Sequence, residues 1–509
     1  MSRSVWLSRV GVALLVTISA GGLAAPARAA ATGVASVYET TKVQYKAATG
    51  KQNKIVVTRS GNTITIDDTV TVKAGKGCKA VKGDKTRATC KTSKAPTRVR
   101  VYSGDRNDSI SNKTNLAITA DGGTGNDTIT GGALADTLRG RDGADTIWAG
   151  GGRDSLHGDA GADRIYGGAG DDMISGGTGN DRIDGQWDND FVGGDEGNDV
   201  LYGGTGIDHV NGQYGDDNLY GGAGGDWLQG DSGKDRVYGD AGHDFIYAHS
   251  VDDAPKDADY YAGGSDTDTV TYGSYRVAIT ADADGVQGDD GASGEHDTIA
   301  ADVEELFGGA GNDRLYGTAG DNYLRGYEGN DTILGGGGDD LLRGDEGKDQ
   351  LDGQAGDDHL LGDEPELYAV QADVLLGGPG VDAVSYGSYT TAISVDLDGA
   401  RGDDGQAGEG DTVGSDVETI FSGSGDDHLT GNDAANKITG DDGDDVIRGG
   451  GADDWLFGGN GDDQLFGEAG DDSLTGDDGV DRLDGGDNAT EAGDRCTSWE
   501  PDVNVDCER

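Results

Sequence analysis

Aspartate recurs every nine residues at 14 consecutive positions, Asp127, Asp136, Asp145, Asp154, Asp163, Asp172, Asp181, Asp190, Asp199, Asp208, Asp217, Asp226, Asp235 and Asp244. Two residues after each stands an aliphatic, from Ile129, Leu138 and Ile147 to Leu228, Val237 and Ile246. Glycine lies two before the aspartate in 12 of the 14, with Leu134 and Asp188 as the departures, and five before it in 13, with Ala149 as the exception. A solvated low-complexity tract has no reason to hold such a register, whereas a stack of equal structural units must hold it. The unit reads Gly-Gly-x-Gly-x-Asp-x-U-x, with U aliphatic, as in residues 167–175.

Stereochemistry turns this unit into a shape. In a strand x-U-x, alternation sends U to one side and its neighbours to the other, so each repeat supplies one core side chain. The six residues before it reverse the chain. Glycine permits the left-handed angles and close backbone approach of such a turn, and a carboxylate beside turn carbonyls suits a hard cation. Two nonapeptides complete one coil with a strand on each side, which predicts an all-β fold, a parallel β-roll solenoid. Seven coils at about 4.8 Å give the first array a length of roughly 34 Å. One buried aliphatic per nine ordered residues is little to set against the entropy of ordering them. The array is therefore expected to be disordered without a cation and to fold when it is bound.

The nonapeptide resembles the RTX, or hemolysin-type, calcium-binding repeat, and the resemblance covers most of residues 104–487. It implies calcium ions between turns of adjacent coils, repeats i and i+2 on one edge, held by the register aspartates and by carbonyls of the glycine turn. The first array would then hold about 12 ions. The same role falls on the register where it resumes, at Asp313, Asp331, Asp340, Asp349 and Asp358, and again at Asp427, Asp445, Asp454, Asp463, Asp472 and Asp481. Asn322 and Asn436 stand at two register positions, where a neutral amide is expected to weaken the site.

The register lapses twice, after Asp244 with partial returns at Asp259 and Asp268, and after Asp358 with returns at Asp373 and Asp382. The lapses are copies of one another 114 residues apart: residues 263–317 align without a gap on 377–431 with 30 identities in 55. Shared residues include Tyr272, Tyr275, Glu295 and Asp297, mirrored in Tyr386, Tyr389, Glu409 and Asp411. Asp289, Asp290, Glu295 and Asp297 form either a second kind of calcium loop or a solvated hairpin.

Charge divides the chain. Residues 30–104 hold 15 Lys or Arg against four acids, while residues 105–509 hold 21 against 92; with the three arginines of residues 1–29 the whole chain stands at −57. Nucleic acid is excluded as a partner, because phosphate binding needs the opposite sign. The acids are 81 Asp and only 15 Glu, a bias toward the short carboxylate that turns use. The predicted organisation is a signal peptide at 1–29, a basic N-terminal β domain at 30–103, a first RTX array at 104–247, an acidic interruption at 248–308, a second array at 309–362, a duplicated interruption at 363–422, a third array at 423–487 and a disulfide-closed tail at 488–509. Strand-like alternation in the basic domain covers residues 53–58, 62–67, 70–72 and 97–102. Its basic face is read as a surface for a cell-wall or extracellular polymer, for the acidic half of the same protein, or simply for water.

Residues 1–29 open with Arg3 and Arg9, continue with an apolar run from Val10 to Ile18 and close with Ala27-Arg28-Ala29. This pattern predicts a secretory signal cut after Ala29 and a secreted, extracellular product. The run is too short for a membrane span, and no other stretch approaches the roughly 20 apolar residues needed. Four cysteines form two local pairs, Cys78 with Cys90 and Cys496 with Cys507, read as disulfides rather than zinc ligands because no histidine adjoins either pair.

Neither His-Glu-x-x-His nor Gly-x-Ser-x-Gly occurs, so zinc-protease and lipase-elbow chemistry lack their residues and no catalytic residue is assigned. Five of the seven histidines stand at variable repeat positions. Arg343-Gly-Asp345 and Arg401-Gly-Asp403 spell an adhesion tripeptide, but Gly-Asp is already repeat chemistry. The sequence thus points to a secreted, non-enzymatic calcium-binding scaffold. A calcium-dependent adhesin or matrix protein is the alternative, and a hydrolase carried by the N-terminal domain the third reading.

Overall fold

The computed structural model describes residues 32–248, 257–364, 370–488, 493–497 and 502–507. The signal peptide read in residues 1–29 lies outside them. The fold is a parallel β-solenoid of about 21 turns. Each regular repeat contributes one strand, and strands pair in parallel with the strand two repeats on. Ile147 faces Ile165 and Ile165 faces Ile183 in one sheet, and Leu138 faces Leu156 and Leu156 faces Ile174 in the other. The coil is therefore two nonapeptides long, and none of the 14 U side chains of the first array is more than 3% exposed.

The strands are six residues long, as in Arg164–Ala169 and Met173–Thr178, not the three of x-U-x. Pairing persists into the glycine turn, where Gly168 still faces Gln186 and Ala169 faces Trp187. The turn is thus half strand, which leaves only a short corner to reverse the chain.

One face of the rod is a single 23-stranded sheet, and the other is divided into sheets of 14, 7 and 8 strands. The divisions fall at the duplicated segments. Thr298–Ile299 ends the first sheet while Ile279–Asp282 opens the next, and Thr412–Val413 and Ile393–Asp396 repeat the arrangement. The unbroken face carries straight through both: Val270 pairs with Ile246 and Leu306, and Val384 with Leu360 and Ile420. The lapses in the sequence register are therefore loops inserted into a coil that continues in space.

The basic segment shares the sheets of the roll. Lys42–Lys46 pairs in parallel with Arg98–Asp105, which pairs with Ala117–Thr124. On the other face Lys54–Ser60 pairs with Ser109–Asn112, and three antiparallel partners, Thr63–Asp67, Asp84–Lys91 and Cys78–Val81, complete the end. Disulfide Cys78–Cys90 links the last two strands. At the far end Arg495–Thr497 and Val503–Val505 add a final strand to each face, and Cys496–Cys507 ties them together. One apolar core runs from Ala35 to Leu483. No helix among the described residues is long and apolar enough to cross a membrane.

Candidate metal centre

The repeat places its aspartate at the corner where strand follows turn. Its backbone N–H donates to Oδ1 of the aspartate one coil on: Asp127 to Asp145 at 2.6 Å, Asp145 to Asp163 at 2.6 Å, Asp163 to Asp181 at 2.7 Å. A second ladder, Asp136 to Asp154 to Asp172 to Asp190, runs along the opposite edge. Repeats i and i+2 are thereby joined on each edge by hydrogen bonds.

The second carboxylate oxygen is where the chain stops satisfying itself. All 25 aspartates singled out by the register are at most 2% exposed, and in 23 of them Oδ2 is buried without a hydrogen-bond donor. A buried anionic oxygen with no donor is costly unless a cation meets it. The exceptions are Asp136 and Asp313, whose Oδ2 atoms accept the N–H of Gly132 and Gly309 at 2.7 Å. Asp427, the counterpart of Asp313, is drawn toward Ser422 and the Gly423 N–H.

The glycines explain the shape around that oxygen, and they do so for two different reasons. At the first position of the unit the constraint is space: a Cβ on Gly122 would sit 2.3 Å from Asp127 Oδ2 and 2.7 Å from the carbonyl oxygen of Gly140. The same cradle recurs at Gly158, beside Asp163 Oδ2 and the Gly176 carbonyl. Carboxylate and carbonyl oxygens thus converge on one point of the turn. At the fourth position the constraint is the backbone itself: Gly143 has φ 134°, and a Cβ there would lie 2.3 Å from the carbonyl of Gly125. The second position is also left-handed but tolerates side chains, as at Arg141 and Gln213.

Burial raises the carboxyl pKa along both ladders, above all by desolvation, with neighbouring carboxylates adding to it and the ladder N–H opposing it. Asp145 and Asp217 rise to about 7, and Asp181, Asp190 and Asp235 to about 8. A donor set made only of carboxylate and carbonyl oxygens, in turns shaped by glycine, is the chemistry of a hard divalent cation.

The inserted segments keep the ladder but change its partners. Asp235 donates to Asp259 and Asp259 to Asp297, and the copy runs Asp349 to Asp373 to Asp411. Glu304 and Glu418 take the register place opposite Asp268 and Asp382. At three corners tyrosine supplies what the arrays lack, Tyr261, Tyr272 and Tyr386 donating to Oδ2 of Asp259, Asp297 and Asp411 at 3.1, 3.2 and 2.9 Å, while Oδ2 of Asp268, Asp373 and Asp382 stays buried without a donor as in the arrays. At Asn322 the amide donates to the Glu304 carbonyl while its Oδ1 accepts the Thr318 N–H, and Asn436 does the same with Glu418 and Asn432. Both amides are satisfied by protein.

Of the four insertion residues singled out by sequence, only Asp289 joins an acidic group, with Asp282 and Asp284, and the copy is Asp396, Asp398 and Asp403. Asp290 points inward and accepts the N–H of Asp282 and Ile299, while Glu295 accepts the Ala292 N–H. The signal for the triad was present in both copies as Asp-x-Asp-Gly at 282–285 and 396–399. Asp345 of the first adhesion tripeptide is fully buried between Arg325 and Arg343 and is closed to a receptor.

No curated protein matches the chain. The sequence profile of the RTX calcium-binding nonapeptide repeat (4 copies) matches residues 121–156, 157–192, 193–228, 220–254, 307–342, 334–364, 412–447, 421–456, 430–465 and 457–489. These stretches cover more than half of the chain and fall on the coils whose aspartates carry the unmet oxygens, so the protein belongs to the RTX calcium-binding nonapeptide repeat family, with calcium as its cofactor.

Proposed function

We propose that this protein is an exported scaffold whose rod folds only when calcium occupies its edges, outside the cell, and that it carries no catalytic activity. The register aspartates, from Asp127 to Asp244, Asp313 to Asp358 and Asp427 to Asp481, are the ligands, each with its buried Oδ2 and the carbonyls of the neighbouring glycine turn. The observation that carries the reading is the row of buried carboxylate oxygens left without donors. Export is supported by the secretory pattern of residues 1–29 and by two disulfides of a kind that persist in oxidising surroundings. Extracellular modules commonly bind calcium at about 10⁻⁴ to 10⁻³ M, a range that leaves the chain unfolded in the cytosol.

The test is far-ultraviolet circular dichroism of the mature protein in chelator, followed by calcium titration with magnesium as control. A coil spectrum that turns cooperatively to β near millimolar calcium supports the reading. A β spectrum already complete in chelator refutes it.

An adhesive role for the same rod has its own support. Phe191, His209 and Trp227 stack at 4.7 and 5.5 Å along the outside of the unbroken sheet, and Tyr202, Tyr220 and Tyr238 at 4.8 and 5.0 Å along the other. Calcium-dependent retention of the full chain on cells or polysaccharide is the measurement that favours adhesion.

A further inference from the structure

The outer face of the unbroken sheet changes character where the basic segment joins the roll. In Arg98–Asp105, Val99, Val101 and Ser103 turn into the core, so Arg98, Arg100 and Tyr102 point outward. Lys42, Gln44 and Lys46 do the same on one neighbouring strand, and Thr137 and Arg139 two strands away on the other side. The register lines them up. Lys46 lies beside Tyr102, Tyr102 beside Asp121 and Asp121 beside Arg139, while Gln44, Arg100, Thr119, Thr137 and Ser155 form the adjoining row. Lys46, Arg98, Arg100 and Arg139 thus share one face across four neighbouring strands, a span of about 14 Å.

These four cations have no anion of their own. Lys42 pairs with Glu39 at 2.9 Å, and Asp121, the acid that the register sets among them, pairs with Arg141 at 3.0 Å. Lys46, Arg98, Arg100 and Arg139 enter no salt bridge among the described residues. Arg98 is held by neutral oxygens, Thr119 Oγ1 at 3.0 Å and the Ala135 carbonyl at 3.2 Å. The Arg100 guanidinium lies 5.0 Å from the Tyr38 ring with its Nε buried and without an acceptor, and Lys46 Nζ stands 5.8 Å from the Tyr102 ring. A guanidinium N–H left without an acceptor is costly, and an anion on this face would relieve it.

The occupant follows from charge and from the shape of the rod. The protein's own acidic arrays cannot reach the face, because they continue the same sheet and the same core away from it. A second rod is disfavoured: laid along the face, it brings its own acidic array beside the first, and with −57 on each chain like charge opposes the contact. A flexible polyanion meets the four cations locally, and screening over about 8 Å at physiological salt hides the acidic coils beyond. Between the cations, Gln44, Thr119 and Thr137 offer neutral donors and acceptors, which suit the hydroxyls of a sugar chain.

We propose that this face docks an acidic polysaccharide, a chain of sugars bearing carboxylate or sulfate groups, and so anchors the basic end of the rod in an extracellular polymer while the acidic arrays stand clear of it. The proposal rests on the exported scaffold proposed above. Arg98 and Arg100 supply forked donors that match the paired oxygens of such groups, and Lys46 and Arg139 extend the contact to either side.

Titration calorimetry of the mature protein in calcium tests it, with dextran sulfate and carboxymethyl dextran as charged probes and plain dextran as control. Both charged polymers are expected to bind at low salt and to be released at about 0.5 M salt, and plain dextran is not expected to bind. Lys46→Gln/Arg100→Gln/Arg139→Gln should weaken binding about tenfold, the combined worth of three surface charge pairs. Lys54→Gln/Lys82→Gln/Lys85→Gln removes the same charge from strands of the other sheet and their hairpin and should change affinity less than about twofold. A parent that binds neither charged polymer at low salt overturns the proposal; if its mass also rises with concentration and the patch variant's does not, the face belongs to a second copy. A patch variant that binds like the parent overturns it as well, because the polymer is then held through calcium on the arrays. So do equal losses in the two triple variants, since net charge alone would then set the affinity. Circular dichroism in calcium accompanies each variant. Where the patch variant loses its β spectrum, Lys46→Glu, at an exposed residue, makes the same test with an expected loss of about threefold. A parent whose β spectrum ignores calcium refutes the calcium reading, while the binding curves still decide the fate of the face.

Discussion

The arrays and the duplicated insertions build the same ladder of aspartates and complete it differently. In the first array Asp145, Asp163 and Asp181 each use Oδ1 for the next coil and leave Oδ2 buried and unmet. In the insertions Asp297 and Asp411 stand in the same ladder, yet Tyr272 and Tyr386 fill Oδ2 with a hydroxyl proton. The difference teaches that the coil itself does not need a cation: what needs one is a corner that holds no donor, a condition the insertions share at Asp268, Asp373 and Asp382. At Asp297 and Asp411 the longer loop has room for a tyrosine that reaches back into the corner, and the nonapeptide does not.

The largest effect that tests this contrast is calcium removal. In chelator, hydrogen exchange should lose protection across residues 121–247 and 436–484 first. The amides of Ile299 and Val413, held by both-sided carboxylates Asp290 and Asp404, should be the last of the roll to exchange. Uniform loss at all coils would break the comparison.

Next in size is the pH dependence of the calcium-free state. Asp181 and Asp190 have carboxyl pKa values of about 8 in the fold, against about 3.9 in an unfolded chain. Between those values the folded state binds more protons than the unfolded one, so its stability falls as pH rises and is regained on acidification. A proton on Oδ2 substitutes for the cation. The β signal in chelator is therefore expected to grow from pH 8 to pH 5, and the calcium midpoint to move upward over the same range. A calcium-free spectrum that is flat across this window would contradict the burial of the unmet oxygens.

Tyr272→Phe and Tyr386→Phe convert insertion corners into array corners. Each is expected to cost about 1–3 kcal/mol in thermal or urea unfolding in calcium, the usual penalty for a buried acceptor stripped of its donor. Tyr202→Phe, on the outer face among stacked rings, is the control and should be near neutral. Equal effects at the two kinds of site would mean that the hydroxyls of Tyr272 and Tyr386 are packing, not pairing.

Much of this was legible in the spacing. A nine-residue period with one aliphatic per unit fixes two strands per coil, and the structure buries every U and joins repeats i and i+2. The local pairing of the four cysteines was equally legible, from compartment and spacing. What periodicity does not encode is where hydrogen bonding ends, so strands read as three residues run to six. It also cannot assign separate duties to glycines, which is why the steric need at Gly122 and the backbone need at Gly143 looked alike. In the basic segment, three of the strands were visible as alternation, the stretch read at 70–72 meets the strand Val72–Ala74 at one residue only, and Gly33–Glu39, Lys42–Lys46, Cys78–Val81 and Asp84–Lys91 were not visible. Their inward residues, Ala35, Tyr45, Ala88 and Cys90, are too mixed in kind to read as an apolar face. Tyr272 and Tyr386 lie 25 residues from their acceptors, a distance at which only the fold reveals a partner.

The smallest effect, and the finest test, comes from moving a natural exception into the array. Asn322 and Asn436 already occupy the ladder, donate to the carbonyls of Glu304 and Glu418, and leave no oxygen unmet. Asp181→Asn places the same amide where the carboxylate Oδ2 is buried without a donor. It removes one anionic ligand and one charge repelled by Asp163 and Asp199. At high calcium the loss of a site is expected to lower stability by roughly 1 to 1.5 kcal/mol, the linkage contribution of a site near ten times its dissociation constant. In chelator the sign should reverse, because a neutral amide relieves the burial of an anion and donates to the neighbouring turn. Stability measured in both conditions therefore crosses between parent and variant. A variant weaker in both would show that Asp181 supports the corner by its shape alone, and the contrast between arrays and insertions would then rest on packing and not on charge.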